Sequence, residues 1–166
     1  MKQYTLYRVH TIKIRWSNPI TWNRIDLYKD DWDGGLYYIT RRIHMRDYDT
    51  VTPIYIGKSK NKISRRIFQH RLGESKTSFL DQRGDFEVRL GRIVYPTRSP
   101  ERFHFNRLLL TLESALIKEV KPKCNISQVG KYTRWYKLII FNEGKRDQIP
   151  KIIDNRMQDN GIDYNY

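Results

Sequence analysis

Two periodicities, one of two residues and one of three to four, divide this chain into elements. Residues 4–16 alternate, with Tyr4, Leu6, Ile12, Ile14 and Trp16 evenly spaced while Lys13 and Arg15 face the other way, so a strand is predicted there. A polar connection, SNPITWNRIDLYKDDWDGG, ends in Asp33-Gly34-Gly35, which is turn chemistry. GLYYI then begins a second strand and PIYI a third; TRRIHMRDYDTVT between them reads as a loop or extended hairpin tip carrying Arg41, Arg42, His44 and Arg46. From about Lys62 to Leu72 the apolar positions Ile63, Ile67, Phe68 and Leu72 take helical spacing, with Gly73 as the stop. DFEVRLGRIVY returns to alternation through Phe86, Val88 and Leu90, a fourth strand. Ser99-Pro100 then starts the longest helix, because serine caps a helix and proline suits its first position, and Pro122 ends it near Val120. WYKLIIF is another β-like run, and Ile149, Ile152, Ile153 and Met157 stand at helical spacing before Gly161.

One position breaks this patterning. Leu109, Leu116, Ile117 and Val120 share a face of the long helix, and Glu113 sits in the middle of that face. A carboxylate turned toward a core is costly unless an arginine, a hydrogen-bond network or a metal ion compensates it. Candidate partners lie on the first helix, where Arg66 and His70 are four residues apart and therefore on one side. An arginine holds a phosphate in a fixed fork, and a histidine passes a proton near neutral pH. An Arg-x-x-x-His pair on a helix is by itself more often a surface pair than a site.

Composition narrows the partner. With 32 Lys and Arg against 18 Asp and Glu, the net charge of +14 suits a polyanion, nucleic acid before others, while a basic but inert surface is the plain alternative. The 166 residues are enough for one core, so a single domain with extensions is expected. One cysteine, Cys124, rules out an internal disulfide or a cysteine zinc cluster. The opening MKQYTLYRVHTIKIRW has no signal-like apolar core and no run approaches the ~20 apolar residues of a membrane span, so a soluble, cytoplasmic protein without a membrane partner is expected.

Gly35-Leu36-Tyr37 on one strand and Tyr55-Ile56-Gly57 on the next, followed in order by Arg66, His70, Glu113 and Asn125, resemble the GIY-YIG nuclease family. The resemblance spans about residues 33–128, and YIGKSKN and LESALIKEVKPKCNIS look like the nuclease domain of the bacterial excision-repair incision subunit and its relatives. It implies an α+β fold, a small three-stranded antiparallel sheet flanked by helices, with added β/α elements at both termini. The core would run over residues 33–128, with extensions at 1–32 and 129–166.

The resemblance further implies a metal-dependent DNA endonuclease that hydrolyses phosphodiester bonds with one Mg²⁺ (or Mn²⁺) per active site. Glu113 would be the metal ligand, Arg66 would balance charge on the transition state, and Tyr37 would help deprotonate the attacking water, with Lys58 and His70 as the nearby cations. Tyr55 would orient the phosphate, Gly57 would let it approach, and Asn125 would tie the end of the long helix to the site. Arg65 has the commoner spacing after Gly57, whereas Arg66 leaves His70 at i+4. Arg41, Arg42, Lys60, Lys62, Arg65, Arg71, Lys131 and Arg134 are the candidate DNA contacts, Lys131 and Arg134 because they mix with Tyr132 and Trp135. A restriction-type or phage-encoded enzyme fits the short extensions, and exposed terminal strands offer a surface for a homodimer. The competing readings are a DNA-repair nicking nuclease and a non-catalytic nucleic-acid-binding protein on the same fold.

Overall fold

The computed structural model describes residues 9–27, 33–71, 85–95, 104–125, 133–158 and 162–163. The first element, β1 (His10–Trp16), keeps the alternation of the sequence, with Ile12, Ile14 and Trp16 buried and Lys13 and Arg15 exposed. A short β2 (Ile20–Thr21) leads into a 3-10 helix at Trp22–Leu27. Two long strands follow, β3 (Asp33–His44) and β4 (Asp49–Lys62), then α1 (Ile63–Arg71) and β5 (Asp85–Val94). The longest helix, α2 (Phe105–Val120), is followed by a 3-10 turn at Lys123–Asn125. Beyond it come β6 (Thr133–Arg134), β7 (Leu138–Gly144), β8 (Ile152–Asp154) and β9 (Ile162–Asp163).

The expected small three-stranded sheet flanked by helices is not what forms. The strands β4, β3, β5, β1, β7 and β8 lie side by side in that order, with β2 also paired to β5, as one seven-stranded sheet that curls into a half-barrel. It is mixed, because β1 pairs antiparallel with β5 on one side and parallel with β7 on the other. The antiparallel trio β4-β3-β5 is thus a part of a larger sheet, and the segments expected as terminal extensions supply its continuation. The physical reason is that β5 still has an unpaired ladder edge after joining β3, and β1 satisfies it while burying Ile12, Ile14 and Trp16.

Three local expectations change as well. The segment expected as a closing helix is β8 with turns around it, since Pro150 cannot continue a helix and disfavours it for Ile149, and the ladder of β7 captures Ile152–Asp154. Two side chains fix that edge: Asn142 Nδ2 donates to the Pro150 carbonyl at 2.8 Å, and Asn155 Oδ1 accepts from Leu138 N–H at 2.8 Å. The basic stretch after Tyr37 is largely strand, paired from Arg41↔Thr52 to His44↔Asp49, with only the tip left as a turn. Described residues of α2 begin at Phe105 with His104 as the N-cap, and Ser99-Pro100 lies outside the described residues. Its end is as expected, with Lys121 in the left-handed conformation, its N–H bonded to the Ile117 carbonyl, and Pro122 next.

Hydrophobic clusters form on both faces of the sheet. On one, Leu36, Tyr38 and Ile56 join Ile12, Ile14 and Trp16 beneath Leu108, Leu109, Leu112 and Leu116 of α2. On the other, Tyr37, Ile39, Val88 and Leu90 pack with Ile63 and Ile67 of α1 and with Trp22 and Ile25 of the first 3-10 helix. These odd and even positions of β3 face opposite helices, as a period of two requires.

Candidate active site

The site is assembled around β4, the strand at the end of the sheet. An edge strand leaves backbone groups without ladder partners, and at Ile56 one side chain takes both. Ile56 N–H donates to Asn125 Oδ1 at 2.8 Å, and Asn125 Nδ2 donates to the Ile56 carbonyl at 3.0 Å. Asn125 is fully buried, and its two bonds anchor the turn after α2 against the strand bearing Tyr55 and Gly57.

Tyr37 on β3 stands directly across from Gly57 on β4, and its ring occupies the space a Cβ at Gly57 would need. That vacancy lets Tyr37 and Tyr55 stack with ring centroids 6.0 Å apart and planes at 29°. The Tyr37 and Tyr55 hydroxyls share a hydrogen bond. Burial raises the Tyr37 phenol well above its ordinary value, the neighbouring Tyr55 and Glu113 push it further, and only Arg66 opposes them. Burial likewise raises Tyr55, with Glu113 adding to the rise and the Tyr37 hydrogen bond and Arg66 countering it. At neutral pH both phenols therefore keep their protons.

Glu113 reaches this cluster from α2. Its side chain is 12% exposed, and its Oε2 lies 2.8 Å from the Lys58 ammonium. The compensation for this inward carboxylate is thus a lysine on β4, with Arg66 contributing from farther off. Burial raises the Glu113 carboxyl, and Lys58 and then Arg66 partly bring it back. Of the two adjacent arginines, Arg66 is the one whose charge acts on Tyr37, Tyr55 and Glu113. Its guanidinium is exposed and also donates to Gln69 Oε1 at 3.3 Å.

Beside the cluster opens a cleft of about 400 Å³ lined by Lys58, Ser59, Lys60, Asn61, Lys62, Arg65, Arg66 and Gln69. The end of β4 and the first turns of α1 place five cations along it. Such a cleft attracts phosphates through its summed field as much as through single contacts. Ser59, Asn61 and Gln69 were not singled out from the sequence; their signal was position, in the basic run between Gly57 and His70.

The other sequence candidates are dispersed. Arg42 is bonded through Nε to Glu87 Oε1 at 3.1 Å and through Nη1 to Asp49 Oδ2 at 3.3 Å, so carboxylates of the sheet already engage it. Arg134 donates to the Asn155 carbonyl at 2.8 Å and ties β6 to the segment after β8. Arg41 lines a separate cavity. His70 and Arg71 belong to α1, but their side chains, like the whole of Lys131, lie outside the described residues. Arg89, which the sequence did not bring forward, is 5% exposed and donates to Thr40 Oγ1 at 3.1 Å, with Glu87 at 3.4 Å and Asp147 at 3.6 Å.

The donor set bears on which metal the site fits. Among the described residues, no three His, Cys, Asp or Glu side chains converge as a multi-ligand cage would require. A single buried carboxylate beside a cation-lined cleft fits a hydrated Mg²⁺ or Mn²⁺, which keeps most of its waters and shares the rest of its coordination with phosphate. Glu113 would hold it, with Lys58 yielding the carboxylate oxygen it now engages.

Comparison with protein-family models, with curated proteins and with solved structures finds no match. Among the described residues, no helix is long and apolar enough to cross a membrane.

Proposed function

We propose that this protein is a metal-dependent DNA endonuclease of the GIY-YIG type. The observation that carries the reading is the convergence of Tyr37, Tyr55, Arg66 and Glu113 into one electrostatically coupled cluster at a cation-lined cleft. These residues come from two strands and two helices, and a core built for packing alone has no need to bring them together.

In this reading Lys60, Lys62 and Arg65 draw the DNA backbone into the cleft, and Arg66 faces the phosphate to be cut. Glu113 would hold one Mg²⁺ or Mn²⁺, which would supply polarisation of the phosphate and charge for the leaving 3′-oxygen. Tyr55, held by its hydrogen bond to Tyr37, orients the phosphate with its hydroxyl. Either residue can take the proton of the attacking water only as a phenolate, once its own proton has passed to solvent, and Arg66 is the protein's own charge that favours that form. Asn125 and the missing side chain of Gly57 keep the strand and the two rings in register for this.

The Lys58–Glu113 ion pair supports a second reading, a non-catalytic nucleic-acid-binding module in which Lys58 permanently neutralises Glu113. Supercoiled plasmid incubated with the protein separates the two. Nicking or cutting with Mg²⁺, none with EDTA and none with Glu113→Ala is the expected result; binding without cleavage across several metals and substrates would sink the enzyme reading.

A further inference from the structure

A second cavity, of about 200 Å³, opens where β3, β4 and β5 meet the turn that follows α2. Ile43, Ile54 and Phe86 give it an apolar wall, and Arg41, Thr52 and Lys123 supply its polar groups. Cys124 completes it, and because Ile54 and Cys124 are chain neighbours of Tyr55 and Asn125, the cavity adjoins the candidate active site. The next residue, Asn125, holds Ile56 beside Tyr55 and so ties the cavity wall to the strand of the site.

The size and chemistry narrow the occupant. Pockets for drug-sized ligands span about 300–1,000 Å³, so this smaller cavity suits a group the size of a single ring. An apolar and aromatic wall, a hydroxyl at Thr52 and cations at Arg41 and Lys123 complement a ring whose flanks carry phosphate. The net charge of +14 favours a nucleotide over an apolar peptide side chain as the source of that ring. The hairpin that contributes Ile43 also ends in Met45 and Tyr48, which are 50% and 61% exposed. Side chains of this kind enter a base step that has lost its stacking.

We propose that the cavity beside Tyr55 receives one unpaired nucleobase, so that the enzyme prefers duplex DNA carrying a displaced base next to the phosphate it cuts. This rests on the nuclease reading and names its substrate class. Extruding a base costs a few kcal/mol from an intact pair and least where the base is already unpaired, which is the source of the preference.

The test uses the full-length protein in EDTA with two short duplexes, identical except that one carries a single extrahelical thymine. The bulged duplex is expected to bind about tenfold more tightly by fluorescence anisotropy. It should also slow alkylation of Cys124 by iodoacetamide severalfold more than the perfect duplex; Cys124 is exposed and is the chain's one cysteine. Thr52→Phe, which fills the cavity, should remove the affinity difference while leaving binding of the perfect duplex in place. If that variant fails to fold, Cys124 protection in the unaltered protein decides. Equal affinity and equal alkylation on the two duplexes, or a preference that survives in folded Thr52→Phe, overturns the proposal. Absence of binding to either duplex overturns the nuclease reading with it.

Discussion

Gly57→Ala probes the central packing of the site. A Cβ at that position would lie inside van der Waals contact of Tyr37 Cζ and Oη and 2.7 Å from Tyr55 Cε1. Neither ring has room to retreat, because Tyr37 is stacked on Tyr55 and packed with Ile63 and Ile67 in the cluster under α1. Overpacking of this kind costs about 1–3 kcal/mol. Alanine in place of glycine in a strand returns about 0.5–1 kcal/mol through lower unfolded-state freedom. The net expectation is a loss of about 1–2 kcal/mol, a fall in Tm of roughly 2–8 °C for a domain of this size. Urea unfolding of the purified variant measures it, and a double-mutant cycle assigns it. In a Tyr37→Ala background the closest clash is gone and Tyr55 can shift into the space the ring vacates, so Gly57→Ala should cost much less, whereas in Tyr37→Phe, which keeps Cζ, the loss should remain. A Gly57→Ala protein as stable as the original, or one with the same loss in both backgrounds, would refute the packing argument. Plasmid nicking should fall together with stability, since the same clash displaces the phenol hydrogen-bonded to Tyr55.

Asn125→Ala leaves the Ile56 N–H and C=O on the strand edge without their partner and should cost about 2–4 kcal/mol, read from the urea midpoint; a loss below about 1 kcal/mol would mean that water replaces the side chain freely. Arg89→Met removes the cation beside Asp147 and the donor to Thr40 while Arg42 still engages Glu87, and should cost about 1–3 kcal/mol; full recovery of stability by packing of the methionine would contradict the ion-pair account. The pH dependence has a definite sign: burial raises the folded-state pKa of Glu113, so the folded protein binds that proton more tightly than the unfolded chain. Glu113 therefore contributes stability that is fully present below the ordinary glutamate value and lost as pH rises through the raised one. Glu113→Gln should flatten that decline, and stability–pH curves of the same slope in both proteins would refute the assignment.

Much of the site could be read in the chain before folding, but not its connections. Glu113 stands out because a helix repeats every 3.6 residues and a carboxylate on its apolar face is a local contradiction. Its ion-pair partner does not stand out: Arg66 and His70 are the candidates the spacing offers and Lys58 is expected beside Tyr37, and only the packing of β4 against α2 brings Lys58 to Glu113. Arg89 was illegible for the same reason: alternation marks it as facing away from Val88 and Leu90, but that other face is solvent in an isolated hairpin and core in this sheet.

What the sequence determined by itself was local periodicity and composition: the alternation of β1 and β5, the apolar stripe of α2, its stop at Pro122, and a charge suited to a polyanion. Tertiary structure decided which edges those elements close. Ile149, Ile152, Ile153 and Met157 satisfy a helical spacing, yet Ile152 and Met157 end up exposed because the open ladder of β7 and the proline at 150 outweigh it. The parallel pairing of β1 with β7 joins His10 to Leu138, and it turns an expected three-stranded sheet into a half-barrel. Backbone hydrogen bonds must be satisfied somewhere, but which distant segment satisfies them is carried by no short window of residues.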